Sequence, residues 1–170
     1  NVYGYTKADA ETKVIKNCPK ALIIRTNFFG WGPIHRFSFS DRILGAISFN
    51  RPISLFKDVF FTPILIEELV NIVHKLIKVK ASGIFNVSGS QRISKYDFGI
   101  KLAKKFNYNY KLIKPDFLKN NSKLVRRPLN MSLSNKKSIE LLKKEYGDID
   151  SNISKLYEQK EDGLINELKP

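Results

Sequence analysis

Apolar positions along the chain change period several times, and each change marks an element. Between residues 2 and 17, Ala8, Ala10, Val14 and Ile15 recur among polar residues at helical spacing. Asn17-Cys18-Pro19 ends that run, because the residue before a proline is held out of the helical region. Ala21-Leu22-Ile23-Ile24 is then continuously apolar and β-branched at its end, which predicts a short, fully buried parallel strand. A helix feeding such a strand is half of a βαβ unit. Residues 26–37, with Gly30, Gly32 and Pro33, read as a loop.

Phe37, Phe39, Ile43, Leu44 and Ile47 return to helical spacing, with Asp41 near the start. Ile53, Leu55 and Phe56 predict a strand, and Asp58 to Pro63 a loop. Ile66, Leu69, Val70, Val73, Leu76 and Ile77 form one apolar stripe of a helix. Glu67 and Glu68 sit in its first turn, where the helix dipole favours anions, and Ser82-Gly83 stops it. Ile84 to Val87 reads as a strand. Ser94 with Asp97 has the spacing of an N-cap pair, opening a helix to about Phe106. Tyr110 to Ile113 is predicted as a strand ending at Pro115, with Tyr96 and Tyr110 assigned to the core. Arg126-Arg127-Pro128 falls in a loop, and Ser134–Glu145 and Asp150–Gln159 are two terminal helices. The order α-β-α-β-α-β-α-β-α-α is that of an α/β layered fold.

Composition narrows this picture. A chain of 170 residues with 42% hydrophobic and 27% charged residues is globular, and amounts to one domain or one domain plus part of another. Asn1 stands first and the only methionine is Met131, so the chain is expected to have been cut from a longer one. Cys18 is the only cysteine, which excludes an internal disulfide and suits a reducing cytoplasm. It is read as structural. No run approaches the roughly 20 apolar residues of a membrane span, so no membrane partner is expected.

The net charge of +14 would attract polyanions. The lysines are scattered, however, Lys57, Lys75, Lys95 and Lys104 among them, and are assigned mostly to polar helix positions. No nucleic-acid-binding signature accompanies them, and a general lysine bias is the favoured reading over specific nucleic-acid binding. His35 and His74 lack metal-ligand spacing, so no metal is expected.

Candidate chemistry begins at Tyr3-Gly4-Tyr5-Thr6-Lys7. A tyrosine and a lysine four residues apart share one helical face. A phenol is a poor acid or base near neutrality unless a neighbouring cation stabilises its phenolate, and Lys7 supplies that cation. Tyr3 can then exchange a proton with a carbonyl oxygen. Taken by itself this is a weak signal, equally served by a solvated pair on a helix surface.

The segments that follow give it a context. Tyr3 to Glu11 resembles the catalytic segment of extended short-chain dehydrogenase/reductases. Ile23-Ile24-Arg25-Thr26-Asn27-Phe28-Phe29-Gly30 resembles the strand and loop that those enzymes set beside nicotinamide and sugar. Pro52 to Asp58, Thr62-Pro63-Ile64, Gly83 to Gly89, Ser94 to Phe98 and Arg127 to Ser134 resemble later family segments, in the family's order. The resemblance is greatest to the dTDP-4-dehydrorhamnose reductases.

It implies the C-terminal part of a Rossmann-like NAD(P)-binding fold plus a small α/β substrate-binding lobe. Residues of about 1–30 and 58–90 would complete the Rossmann sheet, and about 31–57 and 91–170 the lobe. The implied activity is NAD(P)-dependent reduction of a nucleotide-linked 4-keto sugar. Tyr3 would be the proton donor and Lys7 its activator and a ribose contact. Thr26 and Asn27 would line the cofactor, and Phe28 would stack on the sugar. Trp31 is either a substrate contact or loop packing. Arg127 would hold the substrate, with a phosphate as its suited partner; its alternative is an ion pair with Asp116 or with a C-terminal carboxylate. NADP(H) or NAD(H) is the implied cofactor and a nucleotide sugar the implied substrate, with a homo-oligomer as a further option.

The glycine-rich turn that cradles a dinucleotide pyrophosphate is absent from these residues, as is the family's catalytic Ser/Thr. The chain alone is therefore expected to be inactive. A sugar-nucleotide epimerase or dehydratase of the same fold, or a non-catalytic binding or regulatory subunit, remain as alternatives.

Overall fold

A computed structural model of the protein describes residues 1–121, 125 and 127–168. Helix α1 (Val2–Asn17) is opened by Asn1, whose Oδ1 accepts the Gly4 amide at 2.9 Å. None of its residues is buried. Strand β1 (Leu22–Arg25) lies parallel to β6 (Gly83–Asn86), with Ile23 opposite Ile84. Between them in sequence runs α3 (Ile66–Lys78), with Glu67 and Glu68 in its first turn and Lys75 and Lys78 in its last, so both ends match the helix dipole. This βαβ unit realises the expected α/β class.

The remaining elements surround a second layer. Strand β3 (Ile53–Phe56) is parallel to β8 (Ile113–Asp116), and α4 (Lys95–Lys105) packs on both. Helix α2 (Phe39–Ser48) carries a capping box. The Ser38 hydroxyl accepts the Asp41 amide at 3.0 Å and the Asp41 carboxylate accepts the Ser38 amide at 2.9 Å. Ser94 caps α4 through the Asp97 amide at 3.0 Å, as the sequence spacing anticipated. Helices α5 (Lys136–Leu142), α6 (Ile149–Glu161) and α7 (Leu164–Leu168) complete the chain.

Several boundaries differ from the sequence reading. Within the two expected loops, β2 (Phe28–Phe29) pairs parallel with β5 (Ile64–Leu65), and β4 (Phe60–Phe61) pairs antiparallel with β7 (Ile93–Ser94). Strands of two residues have no readable period; their partners create them. Tyr110–Leu112 is a 3₁₀ turn rather than a strand, and β8 starts at Ile113 and continues through Pro115. Proline is tolerated there because β8, among the described residues, is an edge strand paired only with β3. Tyr110 is 45% exposed, not core, whereas Tyr96 packs against the core. Cys18 is exposed. Helix α5 stops at Leu142 because Lys143 turns left-handed, with φ of 47°.

Two apolar cores result. One gathers Phe29, Ile43, Leu44, Leu55, Phe61, Phe98, Leu102 and Ile153 between α2, α4, α6 and β3. At its centre the Phe98 ring meets Phe29, Phe39 and Phe61 at centroid distances of 5.0, 5.8 and 5.4 Å. The other gathers Ile64, Leu69, Ile72, Leu76, Phe85, Val87 and Tyr146 around α3 and β6. Phe98 is fully buried, so Phe98→Ala is expected to cost about 3–5 kcal/mol in urea denaturation, through lost burial and an unfilled cavity. A loss below about 1 kcal/mol would show that the aromatic centre is not the keystone of this core.

Candidate active site and substrate cavity

Tyr3 and Lys7 lie on one face of α1, with the Lys7 ammonium 5.6 Å from the Tyr3 ring centroid. Tyr3 is 71% exposed. What orients this exposed helix is a fork between Glu11 and Arg25. Arg25 Nε donates to Glu11 Oε1 at 2.8 Å and Arg25 Nη2 to Oε2, joining the middle of α1 to the end of β1. The bidentate bond holds the Glu11 carboxyl below its usual range and raises Arg25, each chiefly through the other.

Beyond Arg25 the chain turns through the predicted cofactor-lining residues. The Thr26 hydroxyl is buried with no hydrogen-bond partner among the described residues. Asn27 uses its side chain: Nδ2 donates to the Met131 carbonyl at 2.9 Å, while its own carbonyl accepts the Ile64 amide at 3.0 Å. Asn27 thereby fixes the 129–133 segment against the turn after β1.

Phe28 and Trp31 share a hollow of about 440 Å³ that also touches Arg36, Phe37 and Ile66. Phe28 is 57% exposed. Trp31 is only partly buried; its indole N–H donates to the Leu156 carbonyl at 3.2 Å and its ring meets Phe106 edge-on. The indole is therefore held by the core while one side borders the hollow.

Arg127 is elsewhere. It lines a separate cavity of about 400 Å³ with Phe39, Ser54, Phe56, Lys95 and Met131. Among the described residues it forms no ion pair, so the alternative pairing with Asp116 is not made. Asp116 instead accepts from the Phe117 amide and the Asn121 side chain. Arg126 lies outside the described residues. Asp58, between the same elements, accepts the Leu118 amide at 2.9 Å. Among the described residues, no group of three His, Cys, Asp or Glu side chains could hold a metal, and no helix is long and apolar enough to cross a membrane.

The sequence profile of the RmlD substrate binding domain matches residues 1–161. The chain belongs to this family. No curated protein sequence matches it. Among solved structures, it is similar to dTDP-4-dehydrorhamnose reductase from Bacillus anthracis in complex with NADP, with a TM-score of 0.83 and 20% identity over 94% of this chain and 56% of that one. The Clostridium acetobutylicum dTDP-4-dehydrorhamnose reductase gives 0.83 and 21% over 95% and 56%. The dTDP-glucose 4,6-dehydratase of Bacillus anthracis in complex with NAD gives 0.74 and 11% over 96% and 54%. The RmlD-type chain thus has their fold and spans a little over half their length.

One residue of this RmlD-type domain was misread in the sequence. Lys95, grouped in the sequence with lysines that mostly fall on polar helix positions, lies in the cavity of Arg127. Its Nζ sits 3.5 Å from the Phe61 ring centroid and 4.2 Å from that of Phe39. As the first residue of α4 it also opposes the helix dipole, and that wrong-signed position was the one available sequence signal.

Burial alone lowers its pKa from 10.5 to about 8. The unfolded chain keeps this proton up to about pH 10.5, whereas the folded chain releases it near pH 8. Folding is therefore fully penalised below pH 8 and relieved as pH rises toward 10.5. Lys95→Met is expected to be more stable than the parent by on the order of 3 kcal/mol at pH 7, an advantage that shrinks between pH 8 and 10. Urea midpoints across that range are the measurement, and a pH-independent difference would contradict it.

Proposed function

We propose that this domain supplies the proton-transfer pair and the substrate lobe of an NAD(P)-dependent reductase of a nucleotide-linked 4-keto sugar. The observation that carries this reading is the Tyr3–Lys7 face of α1, accessible and tethered by Glu11 to the β1 strand that leads into Thr26. Family membership and the likeness to a dTDP-4-dehydrorhamnose reductase that binds NADP support it.

The residues present fit one end of the cofactor. The ammonium of Lys7 suits the ribose beside the nicotinamide, and the unpartnered Thr26 hydroxyl stands at the end of β1, where a donor or acceptor is lacking. The glycine-rich turn that would hold the pyrophosphate is not among these 170 residues. Bound NAD(P)H would supply the hydride needed at the carbonyl carbon. Tyr3 gives its hydroxyl proton to the carbonyl oxygen, so that the ketone becomes an alcohol. Lys7 offsets the charge left on the phenolate, and solvent access to Tyr3 lets the proton be restored. Phe28 offers an exposed aromatic face to the sugar, with Trp31 beside it. Arg127 offers a guanidinium to phosphate oxygens.

The two cores follow the proposed division only in part: Leu69, Ile72, Leu76, Phe85 and Val87 lie in the sheet-side core, whereas Phe29, Phe61 and Leu65 sit with the lobe residues in the other. Ile139, Leu142 and Tyr146 pack across to the sheet-side core.

In the enzyme containing this domain, Tyr3→Phe is expected to lower kcat by roughly 10²–10⁴-fold while leaving sugar-nucleotide affinity nearly unchanged. Steady-state kinetics beside calorimetric binding reads both quantities. Unchanged turnover would remove Tyr3 from the mechanism.

A further inference from the structure

The cavity that holds Arg127 contains a second cation whose position the reductase chemistry does not account for. Lys95 is partly buried; its backbone amide donates to the Val59 carbonyl, while its Nζ lies over the Phe61 and Phe39 rings with no hydrogen bond or ion pair among the described residues. Carboxylates on the surrounding elements are engaged elsewhere. Asp41 of α2 accepts the Gly32 and Ser38 amides, Asp97 of α4 accepts the Ser94 hydroxyl, and Asp58 accepts the Leu118 amide. The other cations nearby also lie against rings, Lys57 on Tyr96 and Arg92 on Phe60. The aromatic faces offset part of the cost of this ammonium, but they do not neutralise it.

The cavity of about 400 Å³ falls in the size range of small-ligand sites. Leu55, Val59, Leu118 and Met131 make apolar walls, leaving Lys95, Arg127 and Ser54 as its polar groups. A neutral carbonyl would satisfy one N–H of Lys95 and leave its charge; an anionic oxygen satisfies both. The positive end of α4 adds to the same field.

We propose that Lys95 is a second phosphate-binding residue of the substrate cavity, acting with Arg127 on the diphosphate of the nucleotide-linked sugar. This rests on the reductase reading for the identity of the ligand, but not for the presence of the anion site. Lys95 then sets the requirement for an anionic ligand, while the apolar walls accept the uncharged remainder. Because the ammonium form is the one that binds, affinity falls as pH rises through the titration of Lys95 near 8.

The test is calorimetric titration of the 170-residue chain and its Lys95→Met variant with dTDP, thymidine and inorganic pyrophosphate between pH 7 and 9.5. Lys95→Met keeps the aliphatic stem and is expected to remain folded, which circular dichroism checks. At pH 7, the variant is expected to bind dTDP and pyrophosphate at least tenfold more weakly than the parent, with thymidine unchanged. The parent should lose affinity for dTDP from pH 7 to 9.5 while the variant stays flat. Arg127→Gln should weaken dTDP binding yet keep the pH dependence.

Equal dTDP affinity and equal pH profiles for parent and Lys95→Met would overturn the Lys95 assignment and leave the reductase reading standing. Lys95-dependent pyrophosphate binding with no added affinity from the nucleoside would uphold the anion site and count against a nucleotide sugar as its occupant.

Discussion

Six consecutive residues, Phe60 to Leu65, pass between the two apolar cores, and their backbone must be satisfied where little water can reach. Phe61 and Leu65 face one core and Ile64 the other. The Phe60 amide donates to the Leu129 carbonyl at 2.7 Å, and the Met131 amide returns a bond to Phe60 at 2.9 Å. Thr62 accepts the Gly89 amide on its carbonyl and the Leu133 amide on its hydroxyl. Ile64 donates to Asn27, and Leu65 to the Asn152 side chain of α6 at 2.8 Å. A buried amide left unpaired costs about 1–3 kcal/mol, so each of these contacts is enforced. Between them they fix the turn after β1, the 129–133 segment and the seat of α6. Every residue assigned to substrate or cofactor, apart from those on α1, lies on a segment joined to this seam or packed beside it.

Charge is handled in two different ways in the interior. Glu68 is buried at the start of α3, and Lys144 and Lys155 approach it at 3.2 and 3.8 Å, so its charge is matched within the fold. Among the described residues, the Lys95 ammonium is matched only by aromatic faces. The first arrangement is structural and joins α3 to the C-terminal helices. The second leaves an unmet electrostatic demand inside a cavity, and such demands concentrate at sites that bind ligands. The contrast separates a cation that completes the fold from one that awaits a partner.

The candidate catalytic pair has the opposite character. Tyr3 and Lys7 stand on a helix with no buried residue, held mainly by the Glu11–Arg25 fork. A proton donor that must meet a substrate carbonyl needs access more than burial. The buried part of the domain places the residues proposed to meet sugar and phosphate, and the tether carries the position of β1 to the helix. Glu11 therefore belongs to the site through orientation, although it touches no ligand in the proposed mechanism.

The sequence by itself determined the elements whose signals are local. The Ser94–Asp97 cap, the apolar stripe of α3 and the continuous apolar runs of β1 and β6 are each written within a dozen residues. So is the pairing of Tyr3 with Lys7, since one helical turn suffices to bring them together. The ordered segments from Tyr3 to Ser134 also carried the family. Tertiary structure decided the rest. The four two-residue strands exist only through partners distant in the chain, and Tyr110 is exposed because a 3₁₀ turn replaces the expected strand. Phe28 and Trp31 were brought to one hollow and Arg127 to another. Lys95 read as one more lysine on a polar helix position, because its only local signal is its place at the positive end of the α4 dipole. Its environment is assembled from Phe39 on α2 and Phe61 on β4, with every nearby carboxylate already taken. Burial and charge balance are sums over neighbours in space, and one-dimensional spacing does not contain them.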